Sequence, residues 1–161
     1  MGPSRNDRAL AALRFAVGVL FLIFGEYKLA LPEFVHGGFR GWIERFIAGG
    51  SYPFMLPVLR GVVLPHAQAW GWCVALGEAA IGLALVVGVA VRAASIGGLL
   101  LMLALLFSAD YPGPARPLWQ YFGASLSHST LALCFLTFLA GDATRALSLG
   151  GRWRRSATLD R

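Results

Sequence analysis

Residues His66 to Ala90 read HAQAWGWCVALGEAAIGLALVVGVA, an apolar run in which Glu78 is the one Asp, Glu, Lys or Arg. A helix needs about 20 mainly apolar residues to cross a bilayer, and this run is long enough. Its Leu, Ala and Gly show no alternation of period two, which argues against a strand. With no water in the hydrocarbon, a continuous helix satisfies its own backbone. Stepping about 100° per residue, Ala67, Gly71, Ala75, Glu78 and Gly82 share one stripe. All but Glu78 are small, and small stripes let helices approach closely. The stretch therefore predicts a spanning helix whose carboxyl faces a bundle interior. By helical rise that carboxyl lies about 18 Å from His66, near mid-membrane.

Three further apolar runs flank this one, at residues 9–31, 93–109 and 119–141. Across all 161 residues, 57% are hydrophobic and 14% charged, against about 25% charged in soluble domains. Mean hydropathy is +0.65. These values exclude a disordered chain and a coiled coil and argue against an ordinary soluble fold. A net charge of +6 would suggest nucleic acid in a soluble protein. Here the basic residues crowd the ends of apolar runs, so the implied partner is the lipid bilayer and not nucleic acid. The expected fold class is all-α: a polytopic membrane protein, one domain over 1–161, forming a four-transmembrane-helix bundle. A cleavable signal peptide is the rival reading of the first run. That run is long and no small-x-small site follows it, so a retained helix is expected.

With four spans, both termini and the 91–92 turn share one side. That side holds Arg5, Arg8, Arg92, Arg145, Arg152, Arg154, Arg155 and Arg161. The other holds Arg40, Arg45, Arg60 and Arg116, with Lys28 close by. The positive-inside rule then puts both termini, including a basic tail over 142–161, in the cytoplasm of a bacterial inner membrane. The tight 91–92 turn predicts that the second and third helices pack as an antiparallel hairpin. The outer loop, 32–65, carries Phe39, Trp42, Ile43, Phe46 and Ile47 at helical spacing, opposite Arg40, Glu44 and Arg45. This predicts an amphipathic extracytoplasmic helix between helices 1 and 2, lying on the outer surface. The prolines at 53, 57 and 65 leave room for a second short helix near 58–64.

A charge at the bilayer centre costs about 2.5–3.5 kcal/mol on insertion scales, so each one calls for a reason. Glu78 reads either as a packing carboxyl or as one that handles protons or a ligand, since burial favours its neutral form. His128 lies about 13 Å below the outer boundary, within about one helical turn of Glu78 in depth. It reads as a structural hydrogen-bonding residue or as the partner of Glu78 in a proton relay. Arg14 and Lys28 sit toward opposite boundaries and are expected to snorkel. Glu26 has a shorter stem and is expected to find a partner in a neighbouring subunit's lysine, Arg60 or His128. Cys73 and Cys134 differ in depth and are expected to be packing residues. No metal-binding motif is present, and none of the three histidines forms a haem pair.

Two stretches carry a resemblance: Arg14-Phe-Ala-Val-Gly18 leading to Gly25 and Lys28, and GVVLPHAQAWGWCVALGEAAIGLALVVGVAVRAAS from Gly61 to Ser95. The latter holds a Leu-Pro before the second helix, the Gly77-Glu78 pair, Gly88 and Arg92. Together they resemble the DoxX/DoxD-like family of small four-helix membrane proteins. The resemblance implies the four-helix fold and suggests quinone- or thiol-linked redox chemistry, the family being named for a thiosulfate:quinone oxidoreductase subunit. It marks Arg14, Lys28, Glu78 and Arg92 as motif positions.

Two functions are expected from this. In one, the chain is a subunit of a redox system and a quinone enters the bundle's outer half from lipid. Glu78 and His128 would be the catalytic pair, exchanging protons with the quinone oxygens. Trp70, Tyr121 and Phe122 would flank the ring, and Glu26, Lys28 and Arg14 would complete the ligand-binding set. No residue here carries electrons alone, so a redox partner subunit with flavin or haem is implied. In the other, the chain is a non-catalytic scaffold that anchors a partner through its outer loop. A small-solute carrier is a third reading and would call for a homo-oligomer.

Overall fold

The computed structural model describes residues 4–123, 125–141 and 143–144. Apart from 143–144, the basic tail expected over 142–161 lies outside the described residues. The first helix, α1, spans Arg5–Ala30 and begins ahead of its apolar run. A capping box explains the early start: the Asp7 N–H donates to Ser4 Oγ at 3.2 Å, and the Ser4 N–H donates to Asp7 Oδ2 at 2.8 Å. The helix stops at Leu31, extended at φ −104° and ψ 97°, because the following Pro32 disfavours helical backbone before it. A π-helical turn, Phe34–Gly38, kinks at Gly37 and leads into α2, Phe39–Gly49. Next comes α3, Leu56–Val58, which continues as a π-helical turn over Leu59–Val63. This is the short helix expected near 58–64. The remaining helices are α4 (Ala67–Val87), α5 (Val91–Ser108), α6 (Leu118–Gly123) and α7 (Leu126–Ala140).

Three helices, α1, α4 and α5, are long and apolar enough to cross a membrane, and α7 is a shorter apolar helix. The fourth run is therefore not the continuous 119–141 span expected from sequence. Ser125 leaves the helix at φ −126° and ψ 58° between α6 and α7. The 15 residues of α7 rise about 22 Å, less than the hydrocarbon thickness of about 30 Å.

The chain reverses between α4 and α5 through left-handed backbone at Gly88 (φ 76°) and Ala90 (φ 51°). Those two helices touch, but the most extensive pairing joins α1 to α4, and α5 packs chiefly on α7. The buried residues of α4 are Ala67, Gly71, Ala75, Glu78, Gly82 and Leu85, which include the whole expected stripe. Those of α1 are Ala11, Arg14, Val17, Gly18, Phe21 and Gly25. The two stripes run antiparallel, with Gly18 against Gly82 and Leu85, and Gly25 against Ala79. A methyl on Gly25 would meet the Ala79 nitrogen at 2.6 Å, and one on Gly82 the Leu22 nitrogen at 2.6 Å. Backbone, and not a yielding side chain, sets that approach.

On the other side of the bundle, Phe135 of α7 is fully buried. Its ring stands edge-on to Phe21 of α1 at 5.2 Å and rests on Gly98 of α5. Leu13, Phe15, Ile23, Phe24, Leu76, Leu83, Leu100 and Leu133 face outward. Large apolar side chains outside and small residues between helices suit a protein solvated by lipid.

The amphipathic helix forms, and all of its apolar face except exposed Trp42 packs on the protein. Phe39 and Ile43 are buried with Leu59 and Ala67, and Phe46 and Ile47 pack against them. Gly71 admits this contact, since a methyl there would sit 3.2 Å from Phe39 Cβ. The loop after α2 is stapled to the end of α5. The Tyr52 N–H donates to the Phe107 carbonyl at 3.1 Å, the Tyr111 N–H to the Gly50 carbonyl at 2.9 Å, and Ser51 Oγ to the Ser108 carbonyl at 2.5 Å.

Candidate functional site

The polar residues of the bundle fall into separate groups. In the first, Lys28 Nζ lies 2.5 Å from both carboxylate oxygens of Glu78. The side chains are 19% and 5% exposed. Glu78 thus pairs with a lysine of α1 and not with His128. Lys28 does not snorkel either. Helix α1 ends just beyond it, the chain folds back, and the Phe34 ring lies 5.5 Å from Nζ. A flexible four-carbon stem then reaches inward to the carboxyl.

The second group sits at the C-terminal end of α5 and the N-terminal end of α7. Asp110 follows α5 in left-handed backbone (φ 57°). Its Oδ2 accepts from Ser125 Oγ at 3.2 Å, and Ser125 Oγ lies 2.7 Å from His128 Nδ1. A hydroxyl has one proton to donate. With Asp110 as acceptor, that proton goes to the carboxylate, and Nδ1–H donates to the serine oxygen. The His128 Nε2 is then left as the lone-pair nitrogen. Asp110 is exposed, Ser125 buried and His128 half-buried, so the chain of bonds runs from an exposed carboxylate through a buried hydroxyl to the imidazole. Sequence reading marked His128, and the third run, 93–109, ends just before Asp110. It missed their link through Ser125, whose Gly-Ala-Ser context at the helix break was the available signal.

The other expected residues do not join either group. Arg14 is fully buried and does not snorkel. Its Nη1 donates to the Ala143 carbonyl at 2.7 Å, tying α1 to the segment after α7. Glu26 is exposed and forms no hydrogen bond or ion pair among the described residues, with Arg60 and His128 included. Tyr121, on α6, bonds to the neighbouring loops: its hydroxyl donates to the Gly113 carbonyl at 3.0 Å, and its carbonyl accepts from the Tyr52 hydroxyl at 3.2 Å. Burial, followed by the neighbouring Tyr121 and Tyr111, pushes the Tyr52 hydroxyl above the ordinary tyrosine value. Trp70 and Phe122 are exposed and do not stack on Tyr121 among the described residues. Cys134 packs against the core, whereas Cys73 is exposed and is no packing residue. Among the described residues no three His, Cys, Asp or Glu side chains converge as a metal site.

No curated protein and no solved structure matches the chain. The DoxX family model matches residues 9–110, a span that holds both glycine stripes, the Lys28–Glu78 pair and Asp110. With its lipid-suited exterior and long apolar helices, the chain is a multi-pass membrane protein that belongs to the DoxX family.

Proposed function

We propose that the chain is a membrane subunit of a quinone-linked redox system, with His128 as the group that exchanges a proton with a quinol or quinone in the outer half of the bilayer. One observation carries this reading: the hydrogen-bonded path from His128 through Ser125 to Asp110. Neutral His128 with its lone pair on Nε2 is set to accept a hydroxyl proton from a quinol. The proton on Nδ1 then passes to Ser125, whose own proton passes to Asp110 and out to water. The reverse sequence supplies a proton to a reduced quinone. Glu78 has no part in this step, because Lys28 holds it between α1 and α4. The electrons of the quinol pass to a partner subunit carrying flavin or haem, and come from it in the reverse sequence, since no side chain here carries them.

The test is organic extraction of quinone from protein purified in a mild detergent. Wild type should retain quinone, His128→Leu should lose it, and Leu83→Ile should keep it. Absence of quinone from wild type, or equal retention by His128→Leu, would overturn the reading.

A second reading, a non-catalytic anchor for a partner protein, is favoured by the α1–α4 contact. Backbone-limited packing at Gly25 and Gly82 closes that interface to any ligand and makes a stiff platform. A partner that co-purifies equally with wild type and His128→Leu, in preparations without quinone, would select it.

A further inference from the structure

Glu26 and Glu78 lie at nearly the same level of the bundle, yet among the described residues Glu78 has a partner and Glu26 has none. Glu26 is exposed on α1. Its depth follows from the packing of its neighbour. Gly25 lies against Ala79 of α4, and α4 spans Ala67–Val87. By helical rise, Ala79 is about 18 Å from one end of that helix and about 12 Å from the other. Helix α4 is long and apolar enough to cross a membrane, so Glu26 sits near mid-membrane and not at a boundary.

The face around it is apolar. Stepping about 100° per residue, Phe15, Val19 and Ile23 share a side of α1 with Glu26. Phe15 and Ile23 are exposed. This side lies opposite Phe21, through which α1 meets α7, and beside the glycine stripe that meets α4. A carboxyl in hydrocarbon is costly unless something hydrogen-bonds it, and intramembrane acids are almost always paired. The short stem of a glutamate does not reach either boundary from this depth.

Among the described residues, the chain's own cations do not supply the partner. Lys28 is at the right level but is held by Glu78. Arg14 lies about 18 Å along α1 toward Ser4 and bonds to the Ala143 carbonyl. Arg60 precedes α4 and Arg92 follows it. His128, with its lone pair on Nε2, has no proton there for a carboxylate. These depths are the same in every copy of the chain, so a second copy brings no cation to Glu26 either. We infer that the Glu26 face of α1 docks a membrane-spanning helix of a different protein, one that carries a lysine or arginine near its midpoint. That cation donates to the Glu26 carboxylate, and apolar side chains about one turn to either side pack on Phe15, Val19 and Ile23. The face is remote from His128, so the inference holds under either reading of the function.

The test places the full chain in phosphatidylcholine vesicles with labelled leucine–alanine peptides of spanning length and reads association by energy transfer. One peptide carries a central lysine, one a central leucine and one a central glutamate. Wild type should bind the lysine peptide at least about tenfold more tightly than the leucine peptide, the worth of a charge-assisted hydrogen bond. Glu26→Gln should lose most of that preference, and Glu26→Lys should transfer it to the glutamate peptide. Glu33→Gln, in the exposed turn after α1, should keep it. Equal binding of the lysine and leucine peptides by wild type, or a lysine preference that survives in Glu26→Gln, would overturn the inference. Energy transfer between labelled copies of the chain that disappears in Glu26→Gln would also overturn it, since a second copy would then cover this face.

Discussion

Lys28 and Glu78, fifty residues apart in sequence, meet with the lysine nitrogen 2.5 Å from both carboxylate oxygens. The pair closes the outer end of the α1–α4 interface, one turn beyond the contact of Gly25 with Ala79. Each residue therefore supports the other at a depth where a lone charge would be costly. Removing one partner of a buried pair leaves the other uncompensated and costs about 3–5 kcal/mol, whereas replacing both with apolar residues is often neutral. Lys28→Met and Glu78→Met should each lower the thermal midpoint in detergent, and the double variant should recover most of the loss. Additive losses in the double variant would show that the two side chains act independently.

The helix approach at Gly82 gives a second expectation. A side chain there strikes the Leu22 backbone nitrogen and the Gly18 carbonyl, at 2.6 and 2.8 Å for the first carbon alone. Gly82→Leu should force α1 and α4 apart, at a cost above the ~1–3 kcal/mol typical of overpacking. Leu83, 56% exposed on the adjoining face, should accept Ile with little change. Size-exclusion profiles and thermal midpoints in detergent distinguish the two. Equal stability would contradict the backbone-limited contact.

The α4 stripe was legible because its helix period separates small residues from large ones with few exceptions. On α1 the same 100° step puts Arg14, Gly18, Gly25 and Lys28 on one face. The Lys28–Glu78 pair was not legible, because counting rise from each boundary assigns depth to the backbone and ignores where a long stem turns. The chain breaks at Leu31 just beyond Lys28 and folds back so that the Phe34 ring lies beside the lysine nitrogen. The link from Asp110 to His128 was hidden for a different reason. It depends on Ser125 leaving the helix, and an apolar run read as one continuous span places that serine on a regular face. The amphipathic period of α2 predicted the helix correctly but could not say whether protein or lipid would cover it.

Tyr52 gives a pH dependence that can be checked in the outer loop. Burial is the main cause of its raised pKa, and the neighbouring Tyr121 and Tyr111 add to it. The folded state thus holds the proton more tightly than the unfolded state, where the value is about 10. The contribution to stability is complete below that value and is lost as pH rises through the higher folded one. The hydroxyl that anchors the loop to the Tyr121 carbonyl should therefore stay protonated beyond the ordinary tyrosine range. The tyrosinate absorbance of wild type minus Tyr52→Phe isolates this group from its neighbours. A midpoint at or below the ordinary value would contradict the assigned environment.

Membrane orientation is the remaining expectation, and the structure changes how it is best tested. Helix α1 rises about 39 Å, enough to carry the chain from the side of Ser4 to that of Leu31. Helices α4 and α5 then cross back and forth, placing Arg92 with Ser4 and Arg116 with the outer loop. The return of α7 does not depend on its shortness. The Arg14 bond to the Ala143 carbonyl, and the contact of Gly141 with Leu10, tie its end to the first half of α1. Both ends of the described chain therefore share a side. Arg5, Arg8 and Arg92 on that side nearly balance Arg40, Arg45, Arg60 and Arg116 on the other, so the cytoplasmic assignment draws its weight from the arginines at 145, 152, 154, 155 and 161. Ser51 is 3% exposed, and its one hydroxyl proton is shared between the Phe46 carbonyl at 3.0 Å and the Ser108 carbonyl at 2.5 Å. Phe54, 59% exposed, is the better position. With Cys73 and Cys134 replaced first, Phe54→Cys should react with an impermeant thiol reagent in intact cells. Ser4→Cys should react only after permeabilisation. The reverse pattern would place both ends outside, and the Asp110–Ser125–His128 path would then open to the cytoplasm.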